Sequence, residues 1–250
     1  MQVKTIISIL LTVVSIHTAT AAMNFTAGNQ QAANTSLTSL PGGSVSLLAW
    51  VYINGTASSV IGGYYIDATD DASIKIFQRN NGGSFTGQVA CFTNQTVSNA
   101  GATTTNVPPK GWYAIRCSFV ASTRVEITMW QISTSTQSGL SLWTSKNAAT
   151  TDASLTAPAS GFALGNEPSQ SNAFNGSIYN FASFGSYITT STAMQYFMSC
   201  RPILGGVVAP LQQFPLMDSL DKRNMVNPGK SLTLANSPTS FSNPIFSCPI

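Results

Sequence analysis

The chain has 250 residues, of which 43% are hydrophobic and only 8% charged, with a formal net charge of +3. That length suits one or two domains, and a single all-β sandwich can fill it. Lys222-Arg223 is the one adjacent basic pair, which excludes the clustered basic surface of a nucleic-acid binder.

Residues 1–22 read as a secretory signal peptide. Lys4 precedes an apolar run from Ile6 to Val14, and small residues end at Ala19-Thr20-Ala21-Ala22, so cleavage is expected after Ala21 or Ala22. The apolar run is too short to span a bilayer. The C-terminal "SNPIFSCPI" lacks the hydrophobic tail of a lipid-anchor signal. A secreted protein, extracellular or on the cell surface and without membrane insertion, is expected.

From Ser44 onward the pattern has period two. "SVSLLAWVYI" (Ser44–Ile53) is a predicted strand closed by the turn residues Asn54-Gly55, and "ASIKIFQ" ends at the turn cluster "RNNGG". "GQVACFTN", "GWYAIRCSFV" and "RVEITMWQI" are further strands. In the last, Val125, Ile127 and Met129 share one face, while Arg124, Glu126, Thr128 and Trp130 share the other. Within the Ser/Thr-rich stretch that follows, Leu140, Leu142 and Trp143 predict a strand packing inward. "GFALGN" and "GSIYNFASFG" come next, and "TTSTAMQYFMSC" predicts one short helix capped by Thr190 or Ser191. Many short strands with a single helix predict an all-β fold, an antiparallel sandwich or jelly roll.

Four cysteines stand at 91, 117, 200 and 248. In an oxidising compartment they imply two disulfides, for which three connectivities exist. Cys91–Cys117 and Cys200–Cys248 are expected, because each pair lies within one block of the pattern. Zinc is a poor alternative: Cys-x-x-Cys spacing is absent, and the sole histidine, His17, lies in the leader.

The order of these segments resembles the laminin-G-like and pentraxin-like branch of the concanavalin A-like lectin/glucanase superfamily. "MNFTAGNQQAANTSL" is similar to the family's Phe-x-Gly strand, "SVSLLAWVYI" to its strand with a central Trp, and "GWYAIRCSF" to its "W-h-h-v-a-v" strand. "FALGNEPSQSNAFNGSIYNFASFGSYITTSTAMQYF" follows its last strands and helix in order and spacing. Phe174 is expected to enter the core, with Gly176 allowing a close chain approach. "MWQISTSTQSG" departs from the family's Tyr-x-Asp-Gly hairpin. The resemblance implies a concanavalin A-like sandwich over residues 23–204. It also implies that "FPLMDSLDKRNMVNPGKSLTLANSPTSF", similar to a segment that opens related domains, is circularly permuted to the end. Residues 205–250 would then complete the sandwich, with Phe214, Leu216, Leu232 and Leu234 on an inner face, either in cis or donated to a neighbouring subunit as in a filament.

Enzymatic activity is not expected. Glucanases of that superfamily place carboxylates at Glu-x-Asp-x-x-Glu spacing, whereas this chain has only Glu126 and Glu167, on separate segments. Without a histidine beyond the leader, Ser-His-Asp and Cys-His mechanisms are excluded. No cofactor is expected. Asp67, Asp70 and Asp71 in "YIDATDD" offer oxygens to calcium, but three turn carboxylates fall short of the six or more ligands calcium needs, and a solvated turn is expected there.

Trp112, Trp130, Trp143 and Tyr64-Tyr65 are candidates for stacking on sugars, and Trp130 leads them because it shares a face with charged residues. Sequons begin at Asn24, Asn34, Asn54, Asn94 and Asn175. Those at Asn34, Asn54, Asn94 and Asn175 are candidates for N-glycosylation, with Asn54 and Asn94 favoured by their places in turns, while Asn24 abuts the cleavage site. The expected function is a non-catalytic, structural or adhesive module that self-associates or contacts other extracellular proteins and glycans. The alternative is a soluble carbohydrate-binding lectin.

Overall fold

The computed structural model describes residues 22–26, 28–55, 59–68, 71–81, 84–95, 99–132, 140–199, 208–217 and 220–241. The strands are β1 (Ala22–Thr26), β2 (Gln31–Asn34), β3 (Val45–Ile53), β4 (Ser59–Tyr65), β5 (Ala72–Asn81), β6 (Ser84–Asn94), β7 (Asn99–Thr103) and β8 (Gly111–Val120). They continue with β9 (Arg124–Ile132), β10 (Leu140–Ala149), β11 (Gly161–Leu164), β12 (Asn175–Phe184), β13 (Gln212–Phe214), β14 (Thr233–Ala235) and β15 (Thr239–Phe241). One helix, α1, spans Thr190–Ser199.

Two antiparallel sheets face each other. The first has the order β10-β9-β8-β3-β12-β1-β15, with β13 also on β12; the second has the order β14-β2-β11-β4-β5-β6-β7. The core lies between them because each strand alternates. In β3, Val45, Leu47, Ala49, Val51 and Ile53 point inward, as do Tyr113, Ile115, Cys117 and Phe119 in β8. Phe174 is fully buried in that core. A Cβ on Gly176 would lie 2.1 Å from the Tyr52 carbonyl oxygen, so only glycine fits the close approach there.

Cys91 of β6 and Cys117 of β8 form a disulfide with a Cα–Cα distance of 5.1 Å. It ties one sheet to the other through the core, as the sequence predicts. The loop it closes is 26 residues, so replacing both cysteines by serine is expected to cost about 3–4 kcal/mol in the chain-entropy picture. Urea unfolding of the double variant checks this, and an unchanged midpoint would refute it. Cys200 and Cys248 lie outside the described residues.

The C-terminal segment packs back on its own chain. Strand β1 pairs with the first half of β12, Asn175–Ile178, and β13 pairs with the second half along Phe181–Ser183. A bulge at Tyr179/Ala182 separates the two halves, and β1 is too short to line both. The amide of Met23 donates to the Leu216 carbonyl at 3.1 Å, joining the two pieces of that flank. Strand β14 then closes the edge of the second sheet on β2, and β15 closes the edge of the first on β1. Phe214, Leu216 and Leu232 are buried between the sheets, with Leu234 packed against them, the inner-face role expected of these four.

Strand β1 begins at Ala22, which is fully buried. Three details differ from expectation. The helix cap is Thr189, whose Oγ1 accepts from the Thr192 amide at 3.2 Å, one residue before the predicted caps. The turn after β5 lies later than "RNNGG" suggests, because Arg79, Asn80 and Asn81 remain in the strand. Strand β10 exists, but Leu142 is 60% exposed rather than packed inward. A register shift between Leu142 and Thr144 turns Trp143 toward the core, where its ring meets Tyr113 at 5.7 Å.

Two buried phenols give the fold an alkaline limit. Burial pushes Tyr113 up to about 12 and Tyr64 higher still, although the Ser183 hydroxyl bonded to Tyr64 pulls the other way. A raised folded-state value keeps the native state protonated while the unfolded chain ionises near 10. The linked stability is therefore full below about pH 10 and is lost as pH rises toward the folded values. Urea midpoints are expected to fall across that window, and less steeply in Tyr113→Phe; an identical slope in the variant would remove Tyr113 from this account.

Candidate contact surface

The outer face of the first sheet is organised in rows that run across the strands. The alternation that buries one side of β3, β8 and β9 directs Ser46, Leu48, Trp50 and Tyr52 outward from β3. Opposite them stand Ser118, Arg116, Ala114 and Trp112 of β8. Next come Glu126, Thr128, Trp130 and Ile132 of β9.

The rows differ in chemistry. At one end Arg116 is fully buried. Its guanidinium donates to the Glu126 carboxylate, to Thr128 Oγ1 at 2.9 Å and to the Ile188 carbonyl at 2.7 Å. Arg124 Nε reaches the other oxygen of Glu126 at 3.1 Å, and that bond raises the Arg124 guanidinium further above its ordinary range. Both arginines lie near the face of Tyr187, at 5.3 and 5.4 Å. A carboxylate so fully engaged is a structural ion pair, with no oxygen presented to a substrate. The other glutamate, Glu167, is buried in the loop after β11 and accepts from Ser169 at 2.9 Å and from Ser171. The two glutamates thus belong to separate structural networks.

In the middle, Phe197 of α1 wedges onto the sheet, 5.4 Å from the Trp50 ring and 5.7 Å from that of Trp130. Trp130 is only 2% exposed. This corrects the expectation that it offers an open stacking face: Glu126 on its face is itself buried, Arg124 is half-buried in an ion pair with it, and the helix covers the ring. Tyr64 and Tyr65 are buried as well, and Trp143 faces the core. Trp112 and Trp143 are both half-buried, but Trp143 packs on the core side, whereas Trp112 stands on the outer face beside Tyr52 with ring centroids 5.4 Å apart. Tyr52 was not singled out from sequence, although it follows Trp50 at the period-two spacing of an outward position.

The last row, at the strand ends beyond the helix, is the candidate surface. Its cross-strand order is Leu140, Ile132, Trp112, Tyr52, Ser177, Asn24 and Thr239. Leu140, Ile132, Trp112, Tyr52 and Asn24 are half-buried and Thr239 is exposed. The Ser177 hydroxyl donates to Asn24 Oδ1 at 2.9 Å, and Asn24 Nδ2 donates to Thr239 Oγ1 at 3.1 Å. An apolar, aromatic half therefore adjoins a hydrogen-bonded polar half, and no member of the row is charged. The N-terminal strand β1 supplies one member and the C-terminal β15 another.

On the second sheet, Phe77 and Phe92 stand 6.4 Å apart with Lys75 Nζ over both rings. A cavity of about 320 Å³ beside them is lined by both rings, Asn99, Gly101 and Thr103. Asp67 and Asp71 fall at the β4–β5 turn, while Asp70 lies outside the described residues; among these, no three His, Cys, Asp or Glu side chains are grouped as metal ligands.

Of the sequons, Asn54 is exposed and donates through Nδ2 to Asn175 Oδ1 at 3.1 Å. Asn34 Nδ2 is engaged by the Ser231 carbonyl at 2.6 Å, and Asn94 Oδ1 accepts from Thr156.

No family model matches the sequence, and no curated protein does. The shape is more informative: two packed antiparallel sheets with one helix across an outer face form a jelly-roll sandwich of the kind seen in a pentraxin. Among solved structures, the heptameric SAP-like pentraxin from Limulus polyphemus matches over 94% of this chain and 100% of its own, with a TM-score of 0.56 and 10% identity. Two weaker likenesses cover less. Domains LG4-5 of the mouse laminin alpha1 chain give a TM-score of 0.43 at 15% identity, over 65% of this chain and 41% of that one. A Trypanosoma rangeli sialidase gives 0.41 at 14%, over 63% and 23%. Likeness at this level concerns the fold, and function has to be argued from the site.

Proposed function

We propose that this chain is a secreted, non-catalytic laminin-G-like module with a structural or adhesive role in an extracellular assembly. The observation that carries the reading is the uncharged row from Leu140 to Thr239, a surface suited to contact and lacking a nucleophile–base pair. Secretion is supported by the leader-like residues 1–22 and by the disulfide, and Asn54 is the sequon best placed for a glycan. The C-terminal segment completes the sandwich in cis, as its pairing with β1, β2 and β12 supports; donation to a neighbour would make the same backbone bonds in trans.

Incubating the purified protein with extracellular material from its source cells tests the reading. Retention is expected, and Trp112→Ala is expected to lower it strongly when equal amounts of folded protein are compared. Equal retention of the variant would reject this surface. The lectin alternative is favoured by one feature: Tyr52 of the Tyr52–Trp112 pair stands opposite Ser177, the first of three hydrogen-bonded polar residues that continue the row through Asn24 to Thr239.

A further inference from the structure

We propose that the row on the first sheet is a binding shelf for an uncharged polysaccharide chain lying across the strands; this rests on reading the row as the contact surface. Its shape supports that occupant. Seven strands about 4.8 Å apart make a shelf about 29 Å long, yet it is one residue deep, with the Phe197-covered row on one side and the strand ends on the other. A linear chain fits such a strip, whereas a standard protein partner needs about 800 Å² of broad patch.

The chemistry points the same way. Sugar rings present apolar C–H faces and polar edges at once. The Tyr52 and Trp112 rings offer negative π faces to the C–H groups. Asn24 and Thr239, already held in place by their mutual bond and by Ser177, offer an amide and a hydroxyl to the sugar's own hydroxyls. Positioned polar groups beside an aromatic wall are the usual make-up of a small-molecule subsite. With no charged side chain in the row, an acidic glycan gains nothing over a neutral one, and binding should not depend on salt.

The test uses the full mature chain and calorimetry or an array with neutral hexose hexasaccharides of several linkages, next to matched oligouronates. At least one neutral oligosaccharide is expected to bind equally well at low and high salt, with Trp112→Ala weakening it about tenfold or more, the effect of losing one good aromatic contact. Tyr52→Leu and the exposed Thr239→Val should each weaken it without changing the melting temperature, which covers the case where Trp112→Ala fails to fold. Phe92→Ala, on the other sheet, should leave binding unchanged. Binding only to uronates, neutral binding indifferent to the three row variants, or no binding at all would overturn the proposal. If no glycan binds but a protein captured from the source material protects Tyr52 and Trp112, the polysaccharide inference falls while the contact reading stands.

Discussion

Removing residues 211–250 is expected to abolish cooperative folding. The segment supplies three strands and the buried side chains of Phe214, Leu216 and Leu232. Each is worth about 1.5–3 kcal/mol of burial, so their sum approaches the whole stability of a typical domain, about 5–15 kcal/mol. The loss reaches further than burial. Without β13 the second half of β12 has an unpaired flank, and without β14 and β15 both sheets expose new edges prone to association. Aggregation or loss of the thermal transition is the expected result, and a synthetic peptide covering residues 211–241 should restore the transition. A truncated chain that stays monomeric and melts as before would reduce the segment to a tail.

The second large effect belongs to Glu126. Replacing it by alanine leaves Arg116 charged and fully buried beside Arg124, with its carboxylate partner gone. Breaking a buried pair from one side typically costs about 3–5 kcal/mol, and urea unfolding should register a loss of that size. Replacing both partners, as Arg116→Met with Glu126→Leu, should recover most of it, because no lone charge then remains. A small loss in Glu126→Ala, below about 1 kcal/mol, would mean that the pair is effectively solvated like a surface bridge.

The fold was legible wherever alternation carried it. "SVSLLAWVYI", "GWYAIRCSFV" and "RVEITMWQI" became adjacent strands of one sheet, and Cys117 of the second is bonded to Cys91 of "GQVACFTN" on the other sheet. What covers the outer face was not legible. A period-two pattern separates two faces but does not show that a helix lies on the second, so Trp130 looked open when Phe197 in fact seals it. The same gap hid Arg116: a charge on an outward face reads as solvated unless its partners, here Ile188 beyond β12 and Glu126 of β9, are known to converge. Leu142 erred in the opposite direction, because a bulge invisible in composition reverses the alternation of β10.

The candidate surface lay between these cases. Trp112 was among the expected aromatics, but its neighbours across the sheet come from both ends of the chain. Asn24 and Thr239 are brought within hydrogen-bonding distance by the return of β15 to β1, a pairing of residues 215 positions apart. Local sequence carries no signal for so distant a contact.

Oxidative footprinting of the protein, free and then bound in its native extracellular material, tests the contact reading most directly. The account predicts that Tyr52, Trp112 and Leu140 lose reactivity on binding while Phe92 on the opposite sheet keeps it. Protection of Phe77 and Phe92 with Tyr52 and Trp112 unchanged would contradict the account and move the working surface to the other sheet.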